Sequence, residues 1–183
     1  MIIGLTGPNA AGKGEVAAYL VSRGYAYHSL SDVLREDLER AGLPPTRENL
    51  IARGNELRAG RGSGVLAEMI LGRLVGHDVV DSIRNPAEVD VLRRLPGFTL
   101  LGVDAPIQVR FGRAVQRGRP GDGLTLEEFQ AKEARENSPD QTRQQLARTF
   151  ALADRTITNA GDISELRGRV DAVLAEIGGP ARS

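Results

Sequence analysis

Short apolar runs alternate along this chain with longer stretches in which apolar positions recur every three or four residues. The first pattern is typical of buried strands and the second of amphipathic helices. The runs that we interpret as strands lie at 1–6, 25–28, 78–81, 98–103 and 155–158. Because at least one helical stretch separates each run from the next, the sequence predicts an α/β fold, with a parallel sheet of about five strands covered by helices on both faces.

The helical stretches have recognisable ends. Thr46 is expected to cap one helix, and Pro86 and Pro106 stand where helices begin. The predicted helices are near 13–22, 30–41, 46–58, 65–75, from 86, 107–117, 125–136, 140–153 and 162–177. A Gly- and Pro-rich loop is predicted at 118–123.

Composition narrows the class of protein. The length of 183 residues fits one domain, and a net charge of zero gives no indication of a nucleic-acid or membrane surface. No apolar run approaches the roughly 20 residues of a membrane span. The first run lacks a basic leader, so we interpret it as a strand and not as a signal peptide. Without cysteine, disulfides and thiolate metal sites are excluded.

A glycine-rich motif carries the clearest chemistry. It has the spacing G-x-x-x-x-G-K, follows the first strand and opens the first helix. The glycines allow a tight turn whose N–H groups surround phosphate oxygens, and Lys13 is expected to reach the β- and γ-phosphates. The predicted nucleotide-binding residues are Gly7, Pro8, Asn9, Ala10, Ala11, Gly12, Lys13, Gly14 and Glu15. The motif predicts an ATP-binding protein, which we expect in the cytoplasm.

Magnesium binding departs from the usual pattern. Gly14 stands where many such loops place a Ser or Thr that binds Mg²⁺. Asp81, at the end of the third strand, is the predicted metal ligand. Glu15 is either a ligand of magnesium-bound water or a first-turn acid favoured by the helix dipole, and we favour the second interpretation.

Two further segments follow strands two and three, where parallel strands direct their loops toward a ligand. Asp32 and Arg35 are three residues apart and share a helix face. Ser29 and Asp32 also fit a capping box. Arg84 follows Asp81 in the next strand-to-helix loop.

In these segments the chain resembles the nucleoside monophosphate kinases, adenylate kinase in particular. Lys13-Gly14, Ser31-Asp32-Val33-Leu34-Arg35 and the segment 81–84 are similar to three motifs of that family. The resemblance implies that Arg35 and Arg84 hold the phosphate of an acceptor nucleotide, with Asp32 beside them. It also implies that Asp81 lies near magnesium.

The C-terminal part is more similar to dephospho-CoA kinase. There a strand ends in Asn159-Ala160-Gly161, whose backbone would flank the donor adenine. The runs at 46–50 and 55–58 resemble archaeal proteins related to that enzyme and kinase-like domains fused to deoxycytidylate deaminases. This likeness implies an acceptor-binding role for Arg58.

The resemblance implies one domain over 1–183. Its core is 1–29, 76–106 and 150–183, with acceptor-binding helices at 30–75 and a lid at 107–149. Arg110, Arg113 and Arg117 share one helical face in that lid, and a face without catalytic duty is the alternative. We favour Arg113 and Arg117 as catalytic, together with Lys13 and Arg84.

The predicted function is transfer of the γ-phosphate of ATP, with Mg²⁺, to a small nucleotide, first a (deoxy)nucleoside monophosphate. Dephospho-CoA kinase is one alternative, in which Asp32 would serve as the base. A nucleotide-binding regulatory protein is the other. We expect small-molecule partners without nucleic acid or membrane, and the sequence leaves a homodimer open.

Overall fold

The computed structural model describes residues 1–118 and 125–178. Five parallel strands form one sheet in the order β2-β3-β1-β4-β5. The strands are β1 (Ile2–Thr6), β2 (Ala26–Ser29), β3 (Asp78–Asp81), β4 (Phe98–Asp104) and β5 (Arg155–Thr158). The predicted class and strand number are confirmed.

Nine α-helices accompany the strands within the described ranges, and the last of them follows β5. They are α1 (Lys13–Ser22), α2 (Leu30–Arg40), α3 (Arg47–Arg61), α4 (Val65–Ile70), α5 (Pro86–Leu92), α6 (Ile107–Arg117), α7 (Leu126–Arg135), α8 (Leu146–Phe150) and α9 (Ile163–Gly178). Thr46 caps α3 as predicted, since its side chain accepts a hydrogen bond from the Asn49 N–H.

Alternating residues of the strands build a core on each face of the sheet. Ile3 and Leu5 of β1 belong to the cluster that contains apolar residues of α1 and α9. Ile2 belongs to the opposite cluster, with residues of α2, α3, α4 and α5. The prediction of helices on both faces is therefore confirmed.

Three predicted boundaries were wrong. β2 lies one residue later than expected, and the helix predicted at 65–75 ends at Ile70 and continues as a 3₁₀ turn to Arg73. The helix predicted at 140–153 is reduced to α8, because a bridge between Asn137 and Gln145 folds the chain back on itself. Most of the loop predicted at 118–123 lies outside the described residues.

The topology fixes where a ligand would bind. The chain fills one side of β1 with β2 and β3 and then crosses to the other side with β4 and β5. The carboxyl end of β1 therefore lies at the switch point, where α/β sheets bind ligands. Across 1–118 and 125–178, the structure contains no helix with the length and apolar character of a membrane span.

Candidate active site

The loop after β1 has the backbone that its glycines require. Gly7 has φ 135°, and a Cβ there would lie 2.0 Å from the Val103 carbonyl oxygen. Gly12 has φ 104°, and a Cβ there would lie 2.1 Å from Asn159 Nδ2. Among the described residues no side chain caps the first amides of α1, and the N-terminus of a helix favours anions. A glycine-rich turn before a helix is the arrangement typical of phosphate-binding loops.

Lys13 folds back over this loop. Its Nζ donates to the carbonyls of Gly7 at 2.6 Å and Pro8 at 2.8 Å. Burial lowers the pKa of Lys13 from 10.5 to about 8; the charge of Asp81 opposes this effect, and the charge of Arg84 adds to it. The negative charge of a bound triphosphate would stabilise the protonated form of Lys13.

The lowered pKa predicts a pH-dependent affinity for ATP. In the free protein Lys13 loses its proton as pH rises through about 8, whereas bound phosphate favours the protonated form. Calorimetry at about pH 8 in buffers of different ionisation enthalpy should show uptake of about half a proton on ATP binding. In Lys13→Arg this uptake should disappear, because guanidinium stays charged. An unchanged uptake would contradict the assignment.

The same lowered pKa also makes the stability of the free protein depend on pH. Between about 8 and 10.5 the unfolded chain binds more protons at Lys13 than the free folded protein does. The contribution of Lys13 to the free energy of unfolding therefore rises with pH across this window.

A cavity of about 810 Å³ borders the loop, and we call it the donor side after the nucleotide predicted there. Its wall contains Asn9 through Glu15, Asp81, Arg113 and Arg117, whereas Gly7 and Pro8 of the predicted nucleotide site are not part of it. Their roles toward a nucleotide stay predictions. Arg113 Nη1 is buried and has no hydrogen-bond partner among the described residues. An unsatisfied cationic donor in this wall is consistent with an anionic ligand.

Asp81 is the residue best placed to hold Mg²⁺. It lies at the end of β3 in the donor-side wall, close enough to Lys13 to affect its pKa. Within the described residues no group of three His, Cys, Asp or Glu side chains surrounds a metal position. One carboxylate is sufficient where phosphates and water complete the shell of Mg²⁺. Glu15 is exposed in the same wall, and both of its interpretations stay open.

Asn159 has a structural contact that the sequence did not predict. Its side chain is buried and donates from Nδ2 to the Ala11 carbonyl at 2.9 Å, while Arg113 Nη2 donates to its Oδ1 at 3.4 Å. Asn159 therefore stabilises the phosphate-binding loop through a side-chain hydrogen bond. The predicted contact of its backbone with adenine stays a prediction.

A second cavity, of about 350 Å³, contains Arg35, Arg58 and Arg84, and we call it the acceptor side after the role predicted for them. Within the described residues, six basic side chains and one carboxylate line it. They are Lys13, Arg35, Arg47, Arg58, Arg84 and Arg117, with Glu136 as the acid. Such an excess of positive charge favours an anionic ligand.

Arg35 and Asp32 share a helix face, as their spacing predicted, and form an ion pair. Arg35 lines both cavities, whereas Asp32 lines neither. Ser29 caps α2 through the Ser31 N–H, so the capping box with Asp32 does not form. The geometry places Asp32 where it holds Arg35, and its predicted roles beside the acceptor and as a general base stay predictions.

Arg58 is paired with a buried acid. It is 3% exposed, and its Nε and Nη2 both donate to Glu88 Oε1, at 3.2 and 2.8 Å. Although Arg58 contributes to the cavity wall, its charge is directed at Glu88. We therefore expect it to support the site from within the core, and direct acceptor binding stays a prediction.

The two cavities meet along one set of residues. These shared residues are Asn9, Lys13, Ser31, Arg35, Ser82, Arg84 and Arg117. Arg117 Nη2 donates to Asn9 Oδ1 at 3.1 Å, which joins α6 to the loop. Groups bound in the two cavities would therefore meet over Lys13, between arginines of three different elements.

Ser82 combines backbone strain with a hydroxyl cluster at this junction. Ser82 and Ala10, both in the donor-side wall, are the two non-glycine residues with positive φ among those described. The Ser82 hydroxyl lies 3.1 Å from that of Ser29 and 3.2 Å from that of Ser31. Strain retained beside a ligand cavity indicates a functional constraint.

A pair of substitutions separates strain from hydroxyl chemistry at Ser82. Both Ser82→Gly and Ser82→Ala remove the hydroxyl, but only glycine is relaxed at φ 67°. Urea unfolding should find the glycine variant more stable than the alanine variant by about 1 kcal/mol. Equal stabilities would show that this backbone is unstrained.

Sequence reasoning missed several residues of the acceptor side. Ser82 stands next to the predicted Asp81, so its position was a usable signal. Glu136 and Gln144 come from a segment that the sequence assigned to the lid, and they reach the cavity through the turn at 137–145. Arg47 was noted only within a run that resembles other proteins.

The fold and the loop define a P-loop protein of the kinase-like class. The chain belongs to the UPF0200 family: it is 36% identical to the family protein of Methanoculleus marisnigri, with 97% of each chain covered. It is 31% identical to the member from Pyrococcus horikoshii, again over 97% of both. No protein-family model matches the chain.

Solved structures share the architecture. TT1252 from Thermus thermophilus is 28% identical with a TM-score of 0.62, covering 96% of this chain and 97% of its own. Shikimate kinase from Aquifex aeolicus is 14% identical with a TM-score of 0.61, covering 99% and 100%. A gluconokinase from Sinorhizobium meliloti is 18% identical with a TM-score of 0.55, covering 96% and 91%. The shikimate kinase and the gluconokinase support the fold alone.

Proposed function

We propose that this protein transfers the γ-phosphate of ATP to a small nucleotide, first of all a (deoxy)nucleoside monophosphate. The observation that carries the proposal is the junction at Lys13, where a loop-lined donor cavity meets a cavity with six basic side chains. Two anionic groups facing each other over one lysine is the arrangement that transfer between phosphates requires.

The protein's contribution would be positioning and charge compensation. The loop amides and Lys13 would hold the β- and γ-phosphates, and Arg113 would complete the donor side. Arg35 and Arg84 would hold the acceptor phosphate, while Arg117 spans both cavities. Magnesium held at Asp81 would neutralise charge on the phosphates.

The acceptor in this reaction needs no general base. A phosphate dianion is already a deprotonated nucleophile, so in-line placement against the γ-phosphate is the main requirement. This agrees with the absence of Asp32 from both cavity walls. Dephospho-CoA kinase, the first alternative, must instead remove a proton from a ribose hydroxyl.

The test is ADP release from ATP and Mg²⁺ with each (d)NMP and with dephospho-CoA, with the product identified by mass. One monophosphate should raise ADP release well above basal hydrolysis and yield the matching diphosphate. If dephospho-CoA alone stimulated ADP release, the acceptor would be dephospho-CoA and not a nucleoside monophosphate. Tight ATP binding with flat hydrolysis throughout would favour a regulatory protein and remove the proposed transfer.

A further inference from the structure

Glu136 is a buried acid inside the arginine-lined cavity. It is 4% exposed and follows the last residue of α7. Its Oε1 accepts from Arg47 Nη2, and its Oε2 accepts from Arg84 Nη1 at 3.2 Å. Arg47 opens α3 and Arg84 lies in the loop between β3 and α5. One carboxylate therefore joins two guanidinium groups from separate parts of the fold.

The backbone after Glu136 keeps this carboxylate in place. The Leu146 N–H donates to the Glu136 carbonyl at 3.1 Å, and the Gln145 N–H donates to the Arg84 carbonyl at 2.9 Å. Glu136 also lies in the wall of a neighbouring groove of about 1080 Å³. Glu136 therefore borders both the arginine-lined cavity and this groove, and its exchange would turn the side chain from the first toward the second.

Glu136 already contacts Arg84, one of the two arginines proposed to hold the acceptor phosphate, and Arg47, which lines the same cavity as Arg35. Arginine pairs bind carboxylate and phosphate through the same N–H···O geometry. In the free protein the carboxylate separates two positive charges that would otherwise repel each other in a half-buried cavity. A bound phosphate would supply the same compensation with an additional oxygen and an additional charge.

We infer that Glu136 occupies the position of the acceptor phosphate and is exchanged for it on binding, so that the cavity selects phosphomonoester dianions. The inference rests on the proposed function, which makes this cavity the acceptor site. A dianion offers both arginines more charge than the departing carboxylate. A ligand with a singly charged carboxylate or a neutral hydroxyl offers no more charge than Glu136 does, so Glu136 would exclude such a ligand. Glu136 would thereby be a specificity-determining residue.

Binding of small anions tests the exchange without any transfer step. With a non-hydrolysable ATP analogue filling the donor side, methyl phosphate and acetate are titrated by calorimetry at about pH 7.5, where a phosphomonoester is mostly a dianion. The wild type should bind methyl phosphate and not acetate. Glu136→Gln should bind methyl phosphate about tenfold tighter, because the competing carboxylate is gone, and should begin to bind acetate.

Two further variants make the result specific. Glu48→Gln removes the same charge from the exposed rim of the neighbouring groove and should leave both affinities unchanged. Glu136→Asp keeps the charge on a shorter side chain that reaches the two arginines less well, so it should bind methyl phosphate more tightly than the wild type. This comparison with the wild type would still test the inference if Glu136→Gln failed to fold.

The outcomes separate the inference from the proposed function. Weaker methyl phosphate binding in Glu136→Gln would show that the acid holds the arginines for the ligand, and would overturn the exchange. The exchange would also be overturned if Glu136→Gln and Glu48→Gln gained methyl phosphate affinity equally. Tighter binding together with flat ADP release over the whole acceptor panel would support the exchange and remove the transfer reaction.

Discussion

Lys13→Ala should lower kcat/KM for the transfer reaction by about 100-fold or more, which corresponds to a loss of about 2.7 kcal/mol or more of transition-state stabilisation. The ammonium is the basic group at the junction of the two cavities that is closest to the loop, since it already contacts the Gly7 and Pro8 carbonyls. Steady-state ADP release with the acceptor found in the panel measures the effect.

The stability of this variant should distinguish a catalytic from a structural lysine. Burial lowers the pKa of Lys13 to about 8, so the folded protein holds its charge at a cost. Removing it should change the free energy of unfolding by less than about 1 kcal/mol. Lys132→Ala, at the other lysine of the chain, is the matched control and should retain full activity. Near-normal turnover of Lys13→Ala would contradict the proposed function.

The donor side was predictable because its residues are contiguous. The loop after β1 and the first turn of α1 follow one another in the sequence, and the steric demands at Gly7 and Gly12 leave a recognisable pattern. The alternation of strand and helix was equally visible, since the central strand β1 is a short apolar run buried on both faces.

The acceptor side depends on contacts that leave no local pattern. Glu136 meets Arg84 across 52 residues and Arg47 across 89. The helix expected at 140–153 fails for a similar reason. Asn85 Nδ2 donates to the carbonyls of Gln141 at 2.7 Å and Arg143 at 2.9 Å, which holds this stretch in a turn. A distant side chain thus overrides the local helical pattern.

The acceptor-side arginines depend on a second buried acid, Glu88 of α5. Glu88 is 0% exposed and accepts hydrogen bonds on both carboxylate oxygens. Oε1 accepts from Arg58, and Oε2 accepts from the backbone N–H groups of Arg84 at 2.8 Å and Asn85 at 3.1 Å. The carboxylate therefore ties α3 to the loop that carries Arg84. No other group described in this part of the core offers Arg58 a countercharge.

Glu88→Gln should consequently destabilise the fold by about 3–5 kcal/mol, since it leaves the Arg58 guanidinium buried without its countercharge. Chemical denaturation measures the loss. Glu176→Gln removes the acid of an exposed pair with Arg155 and should cost less than about 1 kcal/mol. Adding Arg58→Met to Glu88→Gln should recover part of the lost stability, because the uncompensated charge is then removed. Additive losses in the double variant would show that the two side chains act independently. Glu88 would then not tie α3 to the loop that carries Arg84.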